Sequence, residues 1–177
     1  MVFQRPVLLP WRTVLDNILF PIDMLGWPLR DYRDEANRLI DLVGLRGFEG
    51  ARPDELSGGM QQRVSICRAL VYDPQLLLMD EPFAALDAMT REELGMALLE
   101  IWTQRRKTVA FVTHSILEAV LLADRVVVMT ARPGRIVNQI AITLPRPRTL
   151  EMEFAPEFKH YVETIRALIY ASHQAAR

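Results

Sequence analysis

Lysine is nearly absent from this chain: 19 of its 21 basic residues are arginine, and the two lysines are Lys107 and Lys159. Neither follows a glycine, so no GxxxxGK(S/T) loop, whose amides and lysine cradle phosphates, occurs in the sequence. Cysteine is scarcer still. The single Cys67 lies in an apolar helical pattern with Val64, Ile66 and Leu70, where a buried, inert thiol is expected. It cannot form an intrachain disulfide, which suits a reducing compartment. No apolar run approaches the roughly 18 residues of a membrane span; the nearest, Val126–Met129, is strand-sized. No basic segment with an apolar stretch behind it opens the chain. The net charge of −1 gives no general ground for a nucleic-acid partner. The expectation is a cytosolic or peripheral globular domain, since half of the 177 residues are hydrophobic and can bury a core.

What is present falls into two regimes. Up to about residue 72 the pattern is helix and loop. Met1–Gln4 is the tail of a strand, and Thr13 caps a helix through Phe20, with Pro21, Gly26 and Pro28 punctuating the turn that follows. Ala36, Leu39, Ile40 and Val43 form the apolar stripe of a helix stopped by Gly44, and Ser57 caps another running to about Tyr72. After Pro74 strands and helices alternate. Leu76–Met79 reads as a parallel strand buried on both faces. A helix over about 88–104, a strand over Thr108–Val112, a helix over about 115–123 and a strand over Arg125–Met129 follow, implying an α/β domain with right-handed crossovers. Arg135–Leu144 completes a terminal hairpin, Pro145–Arg148 is a stiff linker, and a last amphipathic helix runs from Pro156 to about Ser172.

The candidate chemistry is concentrated between Leu56 and Asp87. Ser57-Gly58-Gly59 opens a helix, where a hydroxyl and free amides can grip a phosphate, although an ordinary serine cap explains the same residues. Asp80 and Glu81 close the strand. An acid there can reach Mg²⁺, and its neighbour is placed to orient or deprotonate a water; a solvated strand end is the plainer alternative. Asp87 opens the next helix as a ligand or a simple cap. His114 falls just beyond Thr108–Val112, and Gln4 just beyond the first strand; both point to the carboxyl edge where such sheets bind ligands. His160 and His173 belong to the terminal helix and read as solvated.

Taken together, these residues resemble the nucleotide-binding subunit of ABC transporters. LSGGMQQR at Leu56–Arg63 resembles the signature motif, LLLMDEP at Leu76–Pro82 the Walker B strand with its catalytic acid, and Ala85–Asp87 the D-loop. His114 matches the switch histidine and Val2–Gln4 the Q-loop, so the likeness runs from Met1 to about Arg135. Leu8–Ile18, Met79–Glu92 and Arg132–Ile136 resemble importers of the nitrate, sulfonate and taurine type. The likeness implies a P-loop (RecA-like) α/β cassette over residues 1–144, with a helical signature subdomain over about 8–72, an α/β part over 73–144 and a C-terminal linker and helix over 145–177. It implies ATP and Mg²⁺, with Gln4 and Asp80 as metal ligands, Glu81 as general base and His114 as γ-phosphate sensor. Ser57, Gly58, Gly59 and Gln61 would contact nucleotide, those of one cassette serving ATP held by the other, and Asp87 would bridge the pair. The implied partners are a second cassette, a transmembrane permease met near residues 4–34, and indirectly a periplasmic or surface solute-binding protein, at the cytoplasmic membrane face.

Against that likeness, the missing lysine loop reads as a cassette truncated at its N-terminus, lacking the Walker A strand, loop and helix and the adenine-stacking aromatic. Loss of that unit, at least about 30 residues, is expected to leave the Leu76–Met79 strand short of a neighbour and to expose its edge. An internal methionine taken as the start, a remnant, and a partial sequence all fit. Such a chain is expected not to close an ATPase site alone. The alternative function is a non-catalytic donor of Ser57–Gly59 to a complete cassette. A DNA-maintenance ATPase is discarded, because the roughly 50 residues between Gln4 and Leu56 lack coiled-coil heptads.

Overall fold

The computed structural model describes residues 1–175, apart from the side chains of His173 and Ala175. The elements are α1 (Val14–Met24), α2 (Arg33–Leu42), α3 (Gly58–Leu70), β1 (Leu76–Asp80), α4 (Ala88–Gln104), β2 (Thr108–Val112), α5 (Ile116–Leu122), β3 (Arg125–Met129), β4 (Ile136–Ala141) and α6 (Pro156–Ala175). They form two compact units, Met1–Thr113 and His114–Arg177.

In the first unit, α1, α2 and α3 bury Ile18, Ile22, Leu39, Ile40, Val64 and Ile66. Thr13 caps α1 by accepting from the Asp16 amide at 3.1 Å. The helix does not stop at Pro21, as the sequence predicts, but continues to Met24. Proline forfeits one helical hydrogen bond, while the extra turn buries Ile22 completely. The buried Asn17 amide accepts from Leu9 N–H and donates to the carbonyls of Leu9, Arg12 and Thr13, which pins the loop before α1. Gly44 ends the second helical segment with φ +69°, a conformation that glycine enters without steric cost.

β1 and β2 pair in parallel, Leu76 opposite Thr108 through Asp80 opposite Val112, with α4 as the crossover. Val2 joins the other side of β1: its N–H donates to Leu78 O at 2.8 Å and its carbonyl accepts from Asp80 N at 2.9 Å. Two expectations are corrected here. β1 is not an exposed edge, because it has partners on both sides; among the described residues it is β2 that pairs on one side only. Nor is β1 buried on both faces. Val2, Leu77 and Met79 are fully buried, whereas Leu76, Leu78 and Val112 on the opposite face are 52%, 41% and 54% exposed. A parallel sheet normally carries helices on both faces, and this one is covered on one.

In the second unit β3 and β4 form the expected antiparallel hairpin. α5 and α6 accompany it, with Phe158, Val162 and Ile165 of α6 buried. The 145–148 segment is more than a linker. Arg148 is 2% exposed, and its guanidinium donates to the carbonyls of Val120, Leu121, Ala123 and Ile142 at 2.7–3.1 Å. It thereby closes the C-terminal end of α5, whose last carbonyls have no helical donors.

Candidate functional site

The carboxyl end of β1 gathers one set of candidates. Val2 sits beside Met79 in the ladder, which carries the chain so that Gln4 reaches the end of β1. There Gln4 Nε2 donates to Glu81 Oε2 at 3.3 Å. Glu81 has φ +45°, in the left-handed region, while its N–H donates to Val112 O at 2.9 Å. Strained backbone of this kind, costing on the order of 1 kcal/mol, clusters at functional sites. His114 opens the second unit, directly before Ser115, which caps α5 by accepting from Glu118 N at 3.3 Å.

Among the described residues no group of three or more His, Cys, Asp or Glu side chains could enclose a metal. The Asp80 carboxylate and the Gln4 amide oxygen are, by donor type, oxygens that could hold Mg²⁺. That ion is commonly held by one or two protein oxygens, its remaining positions going to waters and substrate phosphates. Among the described residues neither lysine stands beside them to cradle a phosphate. Lys107 is engaged with Asp73 and the Pro74 carbonyl, and Lys159 lies exposed on α6.

The second set lies at the start of α3. Ser57 is its cap, with Oγ accepting from Met60 N at 3.2 Å. A cavity of about 330 Å³ opens beside it, lined in part by Ser57, Gly59, Met60, Arg63, Asp87 and Thr90. A Cβ on Gly59 would lie 3.2 Å from Thr90 Cγ2 and 3.5 Å from Leu86 Cδ2, whereas one on Gly58 would meet nothing within 4 Å. Gly59 is therefore close-packed against the Thr90 methyl at the start of α4, and Gly58 faces open space. Asp87 caps α4, accepting from Thr90 N at 3.0 Å and Thr90 Oγ1 at 2.7 Å. Those bonds, the backbone one foremost, hold its carboxyl below the usual carboxylate range. Gln61 donates to the carbonyls of Pro53 and Leu56, so its amide nitrogen braces the loop before Ser57. A separate cavity of about 460 Å³ in the second unit, bordered by Thr143, Pro145, Glu157 and Tyr161, holds none of the candidate residues.

The structure adds two residues that the motif alone does not single out. Arg63 donates to Val43 O and to Glu93, both at 2.7 Å, tying α3 to the end of α2 and to α4. Gln62 is buried and donates to Phe3 O at 3.0 Å. Its signal was spacing: it stands four residues before Ile66, on the apolar stripe of α3.

With this geometry in view, comparison with known proteins is direct. The sequence model of the family described as ABC transporter matches residues 1–84. An uncharacterized ABC transporter ATP-binding protein of Methanocaldococcus jannaschii is 57% identical over 84% of this chain, which spans 55% of that relative's length. The taurine import ATP-binding protein TauB of Rhizobium johnstonii is 44% identical over 97% of this chain and 68% of its own. Among solved structures, CbiO1 of Clostridium perfringens, part of the ABC transporter complex CbiONQ, superposes with a TM-score of 0.72 at 26% identity. That likeness covers 99% of this chain and 66% of CbiO1. The chain belongs to the ATP-binding subunits of the ABC transporter family.

Proposed function

We propose that this chain is part of the ATP-hydrolysing subunit of an importer for a nitrate-, sulfonate- or taurine-like solute. The observation that carries the reading is the Gln4–Glu81 contact, which brings the amide to the acid that follows Asp80 at the end of β1. In this reading Glu81 takes the proton of an attacking water, Gln4 and Asp80 hold Mg²⁺ through oxygen, and His114 senses the terminal phosphate. Mg²⁺, when bound, would neutralise phosphate charge. Ser57 and Gly59 serve ATP held on a second cassette, with the Ser57 hydroxyl still able to donate while its oxygen caps α3. Asp87 contributes to the same cassette pair.

The triphosphate cradle has to come from a further strand–loop–helix unit bearing GxxxxGK(S/T). The bare face of the β1–β2 sheet and the one-sided pairing of β2 support a place for it. No helix among the described residues is long and apolar enough to cross a membrane; in this reading a permease is the membrane partner. Trp11, Met24, Leu25, Trp27 and Leu29 are all exposed on the helical part of the first unit and would form the surface that meets it. ATP turnover of the full chain supplied with such a loop-bearing unit tests the reading. Glu81→Gln should lower it by about 10²-fold or more; unchanged turnover would show that Glu81 is not the base.

The intact Ser57–Gly59 half favours a second reading, a non-catalytic chain that lends this half to a complete cassette. Titrating the chain into such a cassette should then change its ATPase rate, and a flat response at saturation excludes it.

A further inference from the structure

Three consecutive peptide planes at the start of the chain are each pinned by a hydrogen bond. Val2 N–H and Val2 C=O fix the planes on either side of Val2, both against β1. The third plane joins Phe3 to Gln4, and its carbonyl accepts from Gln62 Nε2 of α3 at 3.0 Å. Because a peptide unit is rigid and planar, this bond sets the direction from which the Gln4 side chain departs. Gln4 then reaches Glu81.

Gln62 makes that bond at a local cost. It is 2% exposed, and its Oε1 accepts nothing among the described residues. A buried polar atom without a partner is destabilising, and an apolar side chain of equal length would fill the place without one. Packing alone gives no reason for an amide here. Its neighbour Gln61 braces the loop before Ser57, so the two glutamines of one motif face different tasks. Through Gln62 the helix that begins at Ser57 is bonded to the strand that presents Gln4.

We propose that Gln62 is a positioning residue: its bond to the Phe3 carbonyl holds Gln4 against Glu81 and couples the α3 helix start to the acid edge of the same unit. Its relevance to hydrolysis rests on the function proposed above, but the placement of Gln4 can be tested without nucleotide. Gln62→Met keeps length and volume and removes the donor. In the isotope-labelled full chain, the Gln4 side-chain amide resonances of Gln62→Met should shift to the positions they take in Glu81→Ala, where the acceptor is gone. The amides of Met79 and Ala110 in the β1–β2 ladder should keep their protection from hydrogen exchange. Gln4 resonances that stay in place overturn the proposal. So does a loss of ladder protection alongside the shift, which would make Gln62 a purely structural residue. If Gln62→Met does not fold, the wild-type chain decides: cross-relaxation between the Gln62 side-chain amide protons and the Gln4 Hα, which lies on the carbonyl's side of the Phe3–Gln4 peptide, supports the link, and its absence refutes it. None of these signals depends on turnover, so a failure of the Glu81→Gln assay leaves them separately readable.

Discussion

At the residue scale, the candidate site contains positions where stability and the proposed chemistry pull apart. Glu81 occupies a left-handed conformation that glycine enters freely. Glu81→Gly is expected to raise folding stability by about 1 kcal/mol, read as a higher urea midpoint, while removing the carboxylate. The two glycines of the signature motif should separate in the same assay. Gly58→Ala meets open space and should gain up to about 1 kcal/mol from helix propensity, whereas Gly59→Ala would press its Cβ to 3.2 Å from Thr90 Cγ2 and should fall below it. Equal midpoints for the pair would contradict the packing described. Cys67 bears out the reading of a buried thiol: burial pushes it up to about 12, and it contacts the Leu39 carbonyl. At this scale the sequence was legible where a helix cap is written in local residues, as at Ser57 and Asp87. Spacing marks Gln62 as a stripe position but not its partner, a backbone carbonyl 59 positions away, because a carbonyl carries no sequence signal.

At the element scale, α4, β2 and β3 fall where the apolar patterns place them, since their starts and stops are written in local residues such as Asp87. α1 outruns Pro21 because burial of Ile22, a tertiary term, outweighs one lost helical bond. Arg148 was hidden for the same kind of reason: Pro145–Arg148 looks like a spacer until the carbonyl end of α5 is known. Arg148→Lys replaces a planar fork with a point donor. It should cost about 3 kcal/mol, since several buried carbonyls lose their partner at once. A urea midpoint unchanged by this substitution would refute the plug. The helix caps also titrate. The folded-state value of Asp87 is depressed, so its contribution is fully present above the ordinary carboxyl range and disappears as pH falls through that lower value. Asp73, lowered chiefly by Lys107, behaves in the same sense. Unfolding midpoints measured from neutral pH down to about pH 2 should therefore decline on the acid side, and less steeply in Asp87→Asn than in the wild type.

At the scale of the whole molecule, the alternation of hydrogen bonds in β2 makes its one-sided pairing measurable residue by residue. In a parallel ladder, successive residues direct their N–H and C=O groups to opposite neighbours. Thr108 N–H donates to Gln75 O, and the Val112 carbonyl accepts from Glu81 N–H, so Thr108, Ala110 and Val112 face β1. Val109 and Phe111 must then direct their amides to the side on which β2 has no strand among the described residues. In the chain alone, the amides of Val109 and Phe111 should exchange with solvent orders of magnitude faster than that of Ala110. The sheet face bearing Leu76, Leu78 and Val112 should also bind a hydrophobic dye. Adding a strand–loop–helix unit with GxxxxGK(S/T) should protect Val109 and Phe111 selectively and displace the dye, because the new strand pairs at β2 while its helix covers the bare face. Protection that appears instead at Phe3, on the outer side of the Val2 segment, or dye that stays bound, would place the unit elsewhere. The same experiment separates an incomplete sheet from an inactive one: protection with ATP turnover supports the hydrolytic reading, and protection without turnover leaves the Ser57–Gly59 donor as the function.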